Sequence, residues 1–365
     1  MRCFLIGSFT SSRISSLTSA MTRAWSGRQF AWIAAFVLLA GAARGSSTER
    51  APSGDASTQT NNTRVVTDEV GRVVTVPAEA RRIVSLAPNL TETIYALGME
   101  DRLAGDTDYC DTPAAAKMKA HVGAPLSPSL EAIVALHPDL VLATTSINRR
   151  ETVDALAHLG IPVYTNDPRT VRGMLDSVAR IAELAGSATT GTEVVNQLRM
   201  RLDALQLRLV DRPLVHVLFV VWESPLITIG QNTFIADALR WAGAESVVLS
   251  KQNWPQISFE EVVRLGPEYI VLSNHTGAAP VEIERLRSSP QWKDLEAVET
   301  GHVVIVSDEI SRPSPGLVDA IEQLAREVHP EVFGPQSEMR KTADGVSNQF
   351  ALSSGRIKEC ARCAR

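Results

Sequence analysis

Two fifteen-residue segments of this chain, Ser129 to Ala143 (SLEAIVALHPDLVLA) and Ser258 to Leu272 (SFEEVVRLGPEYIVL), repeat each other at an offset of 129 residues. Five of the fifteen positions are identical, and most of the others exchange like for like. Each copy reads as a serine cap, a short helix, a proline that stops it and a continuously apolar strand. A helix and a strand of this kind each have an apolar face that must be buried against another layer. Two such units so far apart constrain the chain to two similarly built lobes.

The remaining pattern agrees. Ile83 to Leu86, Val163-Tyr164, Leu214 to Val221, Tyr269 to Leu272 and Val303 to Val306 are short runs rich in β-branched residues, set between amphipathic stretches. Continuous rather than alternating apolarity marks strands covered on both faces, so the fold class is α/β with two Rossmann-like lobes and mainly parallel sheets. Asn89-Leu90-Thr91-Glu92 reads as a capping box opening a helix that ends at Gly98. Thr189 to Val210 keeps helical spacing with no Gly or Pro after Gly191, and Pro213 closes it. A helix of some twenty residues spans ~30 Å, about the width of one lobe. One long, rigid helix between the lobes resists hinge bending and implies a largely pre-formed cleft.

Charge and composition divide the ends from the body. Residues 1–45 hold five arginines and no acid, and Phe30 to Ala43 is an unbroken run of apolar and small residues. That run is short for a bilayer span and has the layout of a cleavable secretory signal, with Met21 as an alternative start. Leu38-Leu39-Ala40-Gly41 is followed by Ala42 where a lipobox requires Cys, so a free periplasmic protein is expected. The expected organisation is a signal peptide over 1–45, a flexible linker over 46–63, an N-terminal lobe over 64–188, an interdomain helix over 189–212, a C-terminal lobe over 213–333 and a disordered tail over 334–365. Beyond the leader, 31 basic face 41 acidic groups, which excludes a phosphate-tracking nucleic-acid binder. Cys110 is the one cysteine of the body, so no disulfide staples the core; Cys360 and Cys363 form a lone CxxC without further ligands, read as a terminal disulfide or an accidental pair.

Motifs for catalysis are missing: there is no GxxxxGK[ST], no GxGxxG after a strand, no HExxH and no GxSxG. The seven histidines have no ligand spacing, and no metal site or catalytic residue is expected. What remains is a cleft between lobes, where ligand sites concentrate. Four segments at strand ends carry aromatic or charged residues that would line it: Asp108 to Asp111 with Tyr109, Val221 to Pro225 with Trp222, Asn253 to Gln256 with Trp254, and Ser307 to Pro313 with Asp308 and Arg312. A loop tryptophan also serves as a packing anchor, and Asp308 with Arg312, four residues apart, also reads as a surface ion pair. Glu131 and Glu260 occupy equivalent places on the repeated helices, where the helix dipole favours a carboxylate. In the second copy Glu261 stands at the capping-box position, leaving Glu260 to point outward. Two such acids, one per lobe, suit two arginine-bearing pockets of a pseudo-symmetric partner.

The stretches SLAPNLTETIYALG, TDYCDTPAAA, SPSLEAIVALHPDLVLAT, NWPQISFEEVVRLGPEYIVL and SDEISRPSPGL resemble the periplasmic cobalamin-binding proteins of bacterial ABC importers, within a wider group that includes haem- and siderophore-binding proteins. The resemblance covers roughly Val65 to Phe333. It implies a non-enzymatic solute-binding protein, most simply a monomer, with a corrinoid such as cobalamin as cargo and not as a catalytic cofactor. Tyr109, Trp254, Asp308 and Arg312 become corrinoid contacts, and Glu131 and Glu260 the carboxylates that engage the permease dimer. The family can carry tryptophans where this chain has Pro125 and Thr144, a loss that Trp222 offsets from the second lobe. The alternative cargoes on the same fold are haem, for which Tyr109 is the candidate axial ligand, and a ferric siderophore, for which Arg312 alone is a thin complement. A chelatase or reductase on this architecture, and a receptor feeding a sensor, are the rivals from other classes.

Overall fold

The computed structural model describes residues 62–274 and 279–334, so the expected leader and the CxxC of Cys360 and Cys363 lie outside the described residues. The N-terminal lobe opens with a hairpin, β1 (Thr63–Thr67) and β2 (Val73–Pro77). Its main elements follow as β3 (Ile83–Ser85), α1 (Pro88–Ala96), β4 (Leu103–Asp106), β5 (Ala120–His121), β6 (Gly123–Ala124), β7 (Ser127–Pro128), α2 (Leu130–Ala135), β8 (Leu140–Thr144), α3 (Arg150–His158), β9 (Val163–Asn166) and α4 (Val171–Leu184). Strands β5-β4-β3-β8-β9, in that order, form a wholly parallel sheet.

After α5 (Ala188–Leu209), the second lobe repeats the plan: β10 (Val215–Glu223), β11 (Leu226–Thr228), α6 (Phe234–Trp241), β12 (Ala244–Ser246), α7 (Phe259–Leu265), β13 (Tyr269–Asn274), α8 (Ala279–Ser288), α9 (Glu296–Glu299), β14 (Val303–Ser307), α10 (Leu317–Val328) and α11 (Pro330–Phe333). Strands β12, β10, β13 and β14 are parallel, while β11 turns back antiparallel on the far end of β10. The repeated segments become α2-β8 and α7-β13. Ser129 accepts from the Ala132 amide and Ser258 from the Glu261 amide, so both serines cap their helices.

Each five-stranded sheet is covered on two faces, and the strand period of two sorts the side chains. Ile83, Leu140, Leu142, Val217, Phe219 and Val271 point into one cluster that runs through both lobes. Val84 and Val141 face a separate cluster in the first lobe, and Leu218, Ile270 and Leu272 one in the second. The shared cluster, to which α4, α5, α6 and α10 all contribute, welds the lobes on their inner side. Full burial of a side chain such as Phe219 contributes about 1.5–3 kcal/mol.

The 22-residue α5 is about 33 Å long at 1.5 Å per residue. It lies close against α4, because Gly191 leaves room where a Cβ would come within 2.4 Å of the Ala182 methyl. Arg201 of α5 donates to Glu322 and Asp319 of α10, and Asp237 of α6 accepts the first amide of α4 at 2.8 Å. With these ties, the two lobes frame a cleft built in place.

Three local expectations are corrected. Helix α1 does not start from a capping box at Asn89: it begins at Pro88, with Ala87 as an N-cap that makes no side-chain bond. Proline suits this place because its fixed φ is helical and its missing N–H is one a first turn leaves unpaired anyway. Thr63, assigned to the linker, already belongs to β1. Trp222 lies on β10 itself, past an irregularity in register between Val220 and Trp222, and not in a loop beyond the strand.

Candidate functional site: a cleft between two lobes

The C-terminal ends of β3, β8, β10 and β13 point toward one trough. Its centre is a hollow of about 330 Å³ lined from the first lobe by Ala87, Pro88, Asn89, Ser146 and Ile147, and from the second by residues that include Phe219, Phe234, Trp254 and Arg312. Two flanking hollows of about 360 Å³ each share residues with it. One extends along Trp222, Glu223 and Glu282 and shares Val220, Val221 and Ser273 with the centre; the other runs past Asp111, Asp308 and Glu309 and shares Arg312. Together they make an open trough, apolar at the centre and polar at one end.

The positions of the expected contacts differ. Trp254 is half exposed on the wall of the central hollow, placed there because its segment is bonded to β11: Thr228 N–H donates to Pro255 O at 3.0 Å, and Ile227 bridges Gln256. Trp222 is exposed on the neighbouring hollow, its indole N–H donating to Ser224 O at 2.8 Å. Tyr109 is exposed and lines none of these three hollows. Asp308 and Arg312 meet at the polar end, where a 3-10 turn (Asp308–Ser311) follows β14.

That pair is more than a local surface contact. Arg312 donates from Nη2 to Asp308 Oδ2 at 2.7 Å and from Nη1 to Glu92 Oε1 at 2.7 Å. Glu92 comes from α1, so the guanidinium bridges the lobes. Its carboxylate is buried, and burial raises its pKa although Arg312 pulls the other way. Glu309, also partly buried, is pushed up by burial and by the neighbouring carboxylates Asp319 and Glu92. Ser273 donates to Asp308 Oδ1 at 2.9 Å and fixes it from β13. Among the described residues that line the three hollows, Arg312 is the one cation, and two carboxylates already neutralise it.

Sequence reasoning assigned Glu92 to a helix cap and did not reach this bridge. Its partner is 220 residues away, and no local pattern signals it. Asn89 was missed likewise: it is buried, it lines the central hollow, and its Nδ2 has no hydrogen-bond partner among the described residues. On the first-lobe wall, Asn148 accepts from the Thr144 amide at 2.7 Å and donates to Leu86 O at 2.8 Å and Pro125 O at 2.9 Å. This one side chain ties together the positions of Pro125 and Thr144, which carry no aromatic ring. Cys110 is a free, buried thiol near Thr107 and Thr91, set behind the loop that bears Tyr109.

Glu131 and Glu260 lie exposed in the first turns of α2 and α7, and neither forms an ion pair with another of the described residues. Glu261, beside Glu260, is held by Arg264, which keeps its pKa low.

Residues 83–309 match the model of the periplasmic binding protein family, and the chain belongs to that family, whose members are substrate-binding proteins of transporters and not enzymes. Among its relatives is the Vitamin B12-binding protein of Vibrio cholerae, 27% identical over 254 residues that cover 68% of this chain and 89% of that protein. The Vitamin B12-binding protein of Yersinia pestis is 28% identical over 258 residues, 70% of this chain and 89% of the relative. The crystal structure of the periplasmic Vitamin B12 binding protein BtuF of Vibrio cholerae superposes with a TM-score of 0.62 at 26% identity, covering 71% of this chain and all of that one. The molybdate periplasmic binding protein MolA of Haemophilus influenzae shares the fold with a TM-score of 0.66 at 20% identity, covering 76% of this chain and 94% of the other.

Proposed function

We propose that this protein is exported to the periplasm by its N-terminal leader, captures a corrinoid of the cobalamin type in the interlobe trough and delivers it to the permease dimer of an ABC importer. The observation that carries this reading is the charge state of the trough: Arg312, the one lining cation among the described residues, is already matched by Glu92 and Asp308. A haem propionate or an anionic siderophore seeks unspent cations. A corrin offers a broad apolar face and a rim of amides, which suit the exposed Trp254 and Trp222 rings and the carboxylate acceptors at the polar end. The names of the curated relatives support the same cargo. In this reading Trp222, Trp254, Asp308 and Arg312 contact the ligand, Tyr109 reaches it from its exposed loop, and Glu131 and Glu260 engage arginines of the permease.

The test is calorimetry and gel filtration of the purified chain with cyanocobalamin. One ligand per chain, with affinity reduced by Trp254→Ala and by Asp308→Ala, is the expected result. A folded protein that binds hemin and leaves cyanocobalamin free would replace the corrinoid by haem, with Tyr109→Phe abolishing the iron-bound absorbance.

A further inference from the structure

The loop after β8 stands between two hollows. Its crest, Ser146 and Ile147, lines the central hollow of the trough, while Thr144, Thr145 and Asn148 on its flanks line another of about 410 Å³. The partition is thin: Thr144 Oγ1 and Ser146 Oγ, one on each side, lie 3.1 Å apart. Thr145, Ser146 and Ile147 are all exposed, so the crest lies open to solvent.

This further hollow has the opposite chemistry to the polar end of the trough. Asp111, Asp308 and Glu309 line that end, whereas the described residues lining this hollow include two arginines, Arg72 and Arg150, and no carboxylate. Arg72 is anchored: Nε donates to Asp68 Oδ2 at 2.9 Å, and Nη2 to Asp68 Oδ2 at 2.7 Å, Val163 O at 3.2 Å and Thr165 Oγ1 at 2.6 Å. Its Nη1 has no partner among the described residues, and Thr165, which accepts from Arg72, keeps its own O–H to donate. Arg150 is freer. Its side chain is 88% exposed, and its one ion pair among the described residues is a long one, 3.5 Å from Nε to Asp154. It is the first residue of α3, whose N-cap is Arg149 and makes no side-chain bond. A cation at the positive end of a helix opposes the dipole, and a residue that local physics disfavours marks a functional position.

The cargo proposed above carries one anion that the trough does not serve. A complete corrinoid holds a phosphodiester on the arm that joins the ring to its lower nucleotide, and Arg312 is already matched by two carboxylates. We infer that the hollow beside the trough is the seat of that phosphodiester: the ring lies in the trough, the arm crosses the crest at Ile147, and Arg150, Arg72 Nη1 and the Thr165 hydroxyl hold the phosphate oxygens. This rests on the corrinoid reading and adds to it a selection for complete corrinoids over those without the nucleotide. A guanidinium suits phosphate oxygens through its paired N–H donors. Asp68 neutralises Arg72, so Arg150, released from its long contact with Asp154, supplies the one positive charge that a phosphodiester matches.

The test compares cyanocobalamin with dicyanocobinamide, which lacks the phosphodiester and the nucleotide, by calorimetry on the full chain. Arg150→Gln should weaken cyanocobalamin binding roughly tenfold and leave dicyanocobinamide unchanged, and Arg150→Lys should recover part of the loss. The melting temperature of unliganded Arg150→Gln should not fall, because the substitution removes a cation from the positive end of α3. Added salt should weaken wild-type binding of cyanocobalamin and affect the variant less. Equal losses for the two corrinoids, or no loss for either, would overturn the inference and leave the corrinoid cargo standing; so would a wild-type affinity for cyanocobalamin that ignores salt. Inorganic phosphate bound by the wild type and lost in Arg150→Gln, with cyanocobalamin binding untouched, would make the hollow a free-anion site and overturn the assignment to the cargo. Binding of neither corrinoid by the folded wild type would overturn both the cargo and its seat.

Discussion

The two lobes share a plan and divide the work unequally. The first lobe's β3 is three residues long, whereas its counterpart β10 runs for nine and continues into the antiparallel β11. That added hairpin carries Trp222 and holds the Trp254 segment by backbone bonds, so the second lobe owns the aromatic wall. The first lobe contributes a wall of small and aliphatic groups around Ile147 and sends one carboxylate, Glu92, across to Arg312. A duplicated α/β unit thus acquires a one-sided aromatic wall through an extension of a single strand.

The sharpest way to break this comparison is to remove an anchor from each side. Trp254→Ala should weaken cyanocobalamin binding by about 2 kcal/mol, roughly thirtyfold, whereas Ile147→Ala should cost less than about 1 kcal/mol, both read by calorimetry. Equal losses would mean that the two walls contribute alike.

Next in size is the bridge. Glu92→Ala leaves a partly exposed Arg312 with Asp308 alone, and thermal unfolding should show a loss of about 1–2 kcal/mol, below the range for a fully buried pair. Glu92→Gln should lose less, since it removes a desolvated charge and keeps an acceptor. A larger loss in the Gln variant would show that the charge itself holds the lobes.

The first lobe also has a buried carboxylate with its own pH signature. Asp106 is fully buried and bonded to His121 Nδ1 at 2.8 Å, and burial pushes its pKa up to about 6 against the opposing pull of His121. A carboxyl raised in the folded state binds protons there that the unfolded chain has released, so its contribution to stability falls as pH rises from about 4 to about 6. Melting curves of Asp106→Asn should therefore gain on the wild type across that window. A constant difference between the two proteins would contradict the raised pKa.

The smallest effect lies at the two helix stops. The residue after α7 is Gly266 at φ 55°, and the same place after α2 is His137 at φ 46°. A left-handed residue other than glycine is strained by about 1–2 kcal/mol, part of which glycine gives back in unfolded-state entropy. His137→Gly should stabilise the protein by roughly 0.5–1 kcal/mol and Gly266→His should destabilise it by a similar amount. Opposite signs from the two lobes would confirm that the stops are equivalent.

Much of the fold was legible because it is written in local periodicity. The serine caps, the proline stops and the continuously apolar strands of both repeats are short-range signals, and the helix from Ala188 to Leu209 shows in its uninterrupted spacing. Arg312 was legible as a site candidate because it follows a strand end, where an α/β sheet opens its crevice, and Trp254 because it is an aromatic residue in the segment just before the second repeat. Glu92 was not legible, since a carboxylate near a helix start is equally a cap until the second lobe arrives beside it. Trp222 was assigned to the wrong local structure, because a strand prolonged by a hairpin partner looks like a loop in one dimension.

By itself, then, the sequence determined the unit: a capped helix and a twice-buried strand, built twice and joined by a long helix, since each is specified by residues within a few positions of one another. Only the tertiary structure decided which charges meet. Arg312 is neutralised from both lobes, and among the described residues the trough is left without an unspent lining cation, because electrostatic partners are chosen by distance in space, and 220 residues of chain separate Glu92 from the guanidinium it holds.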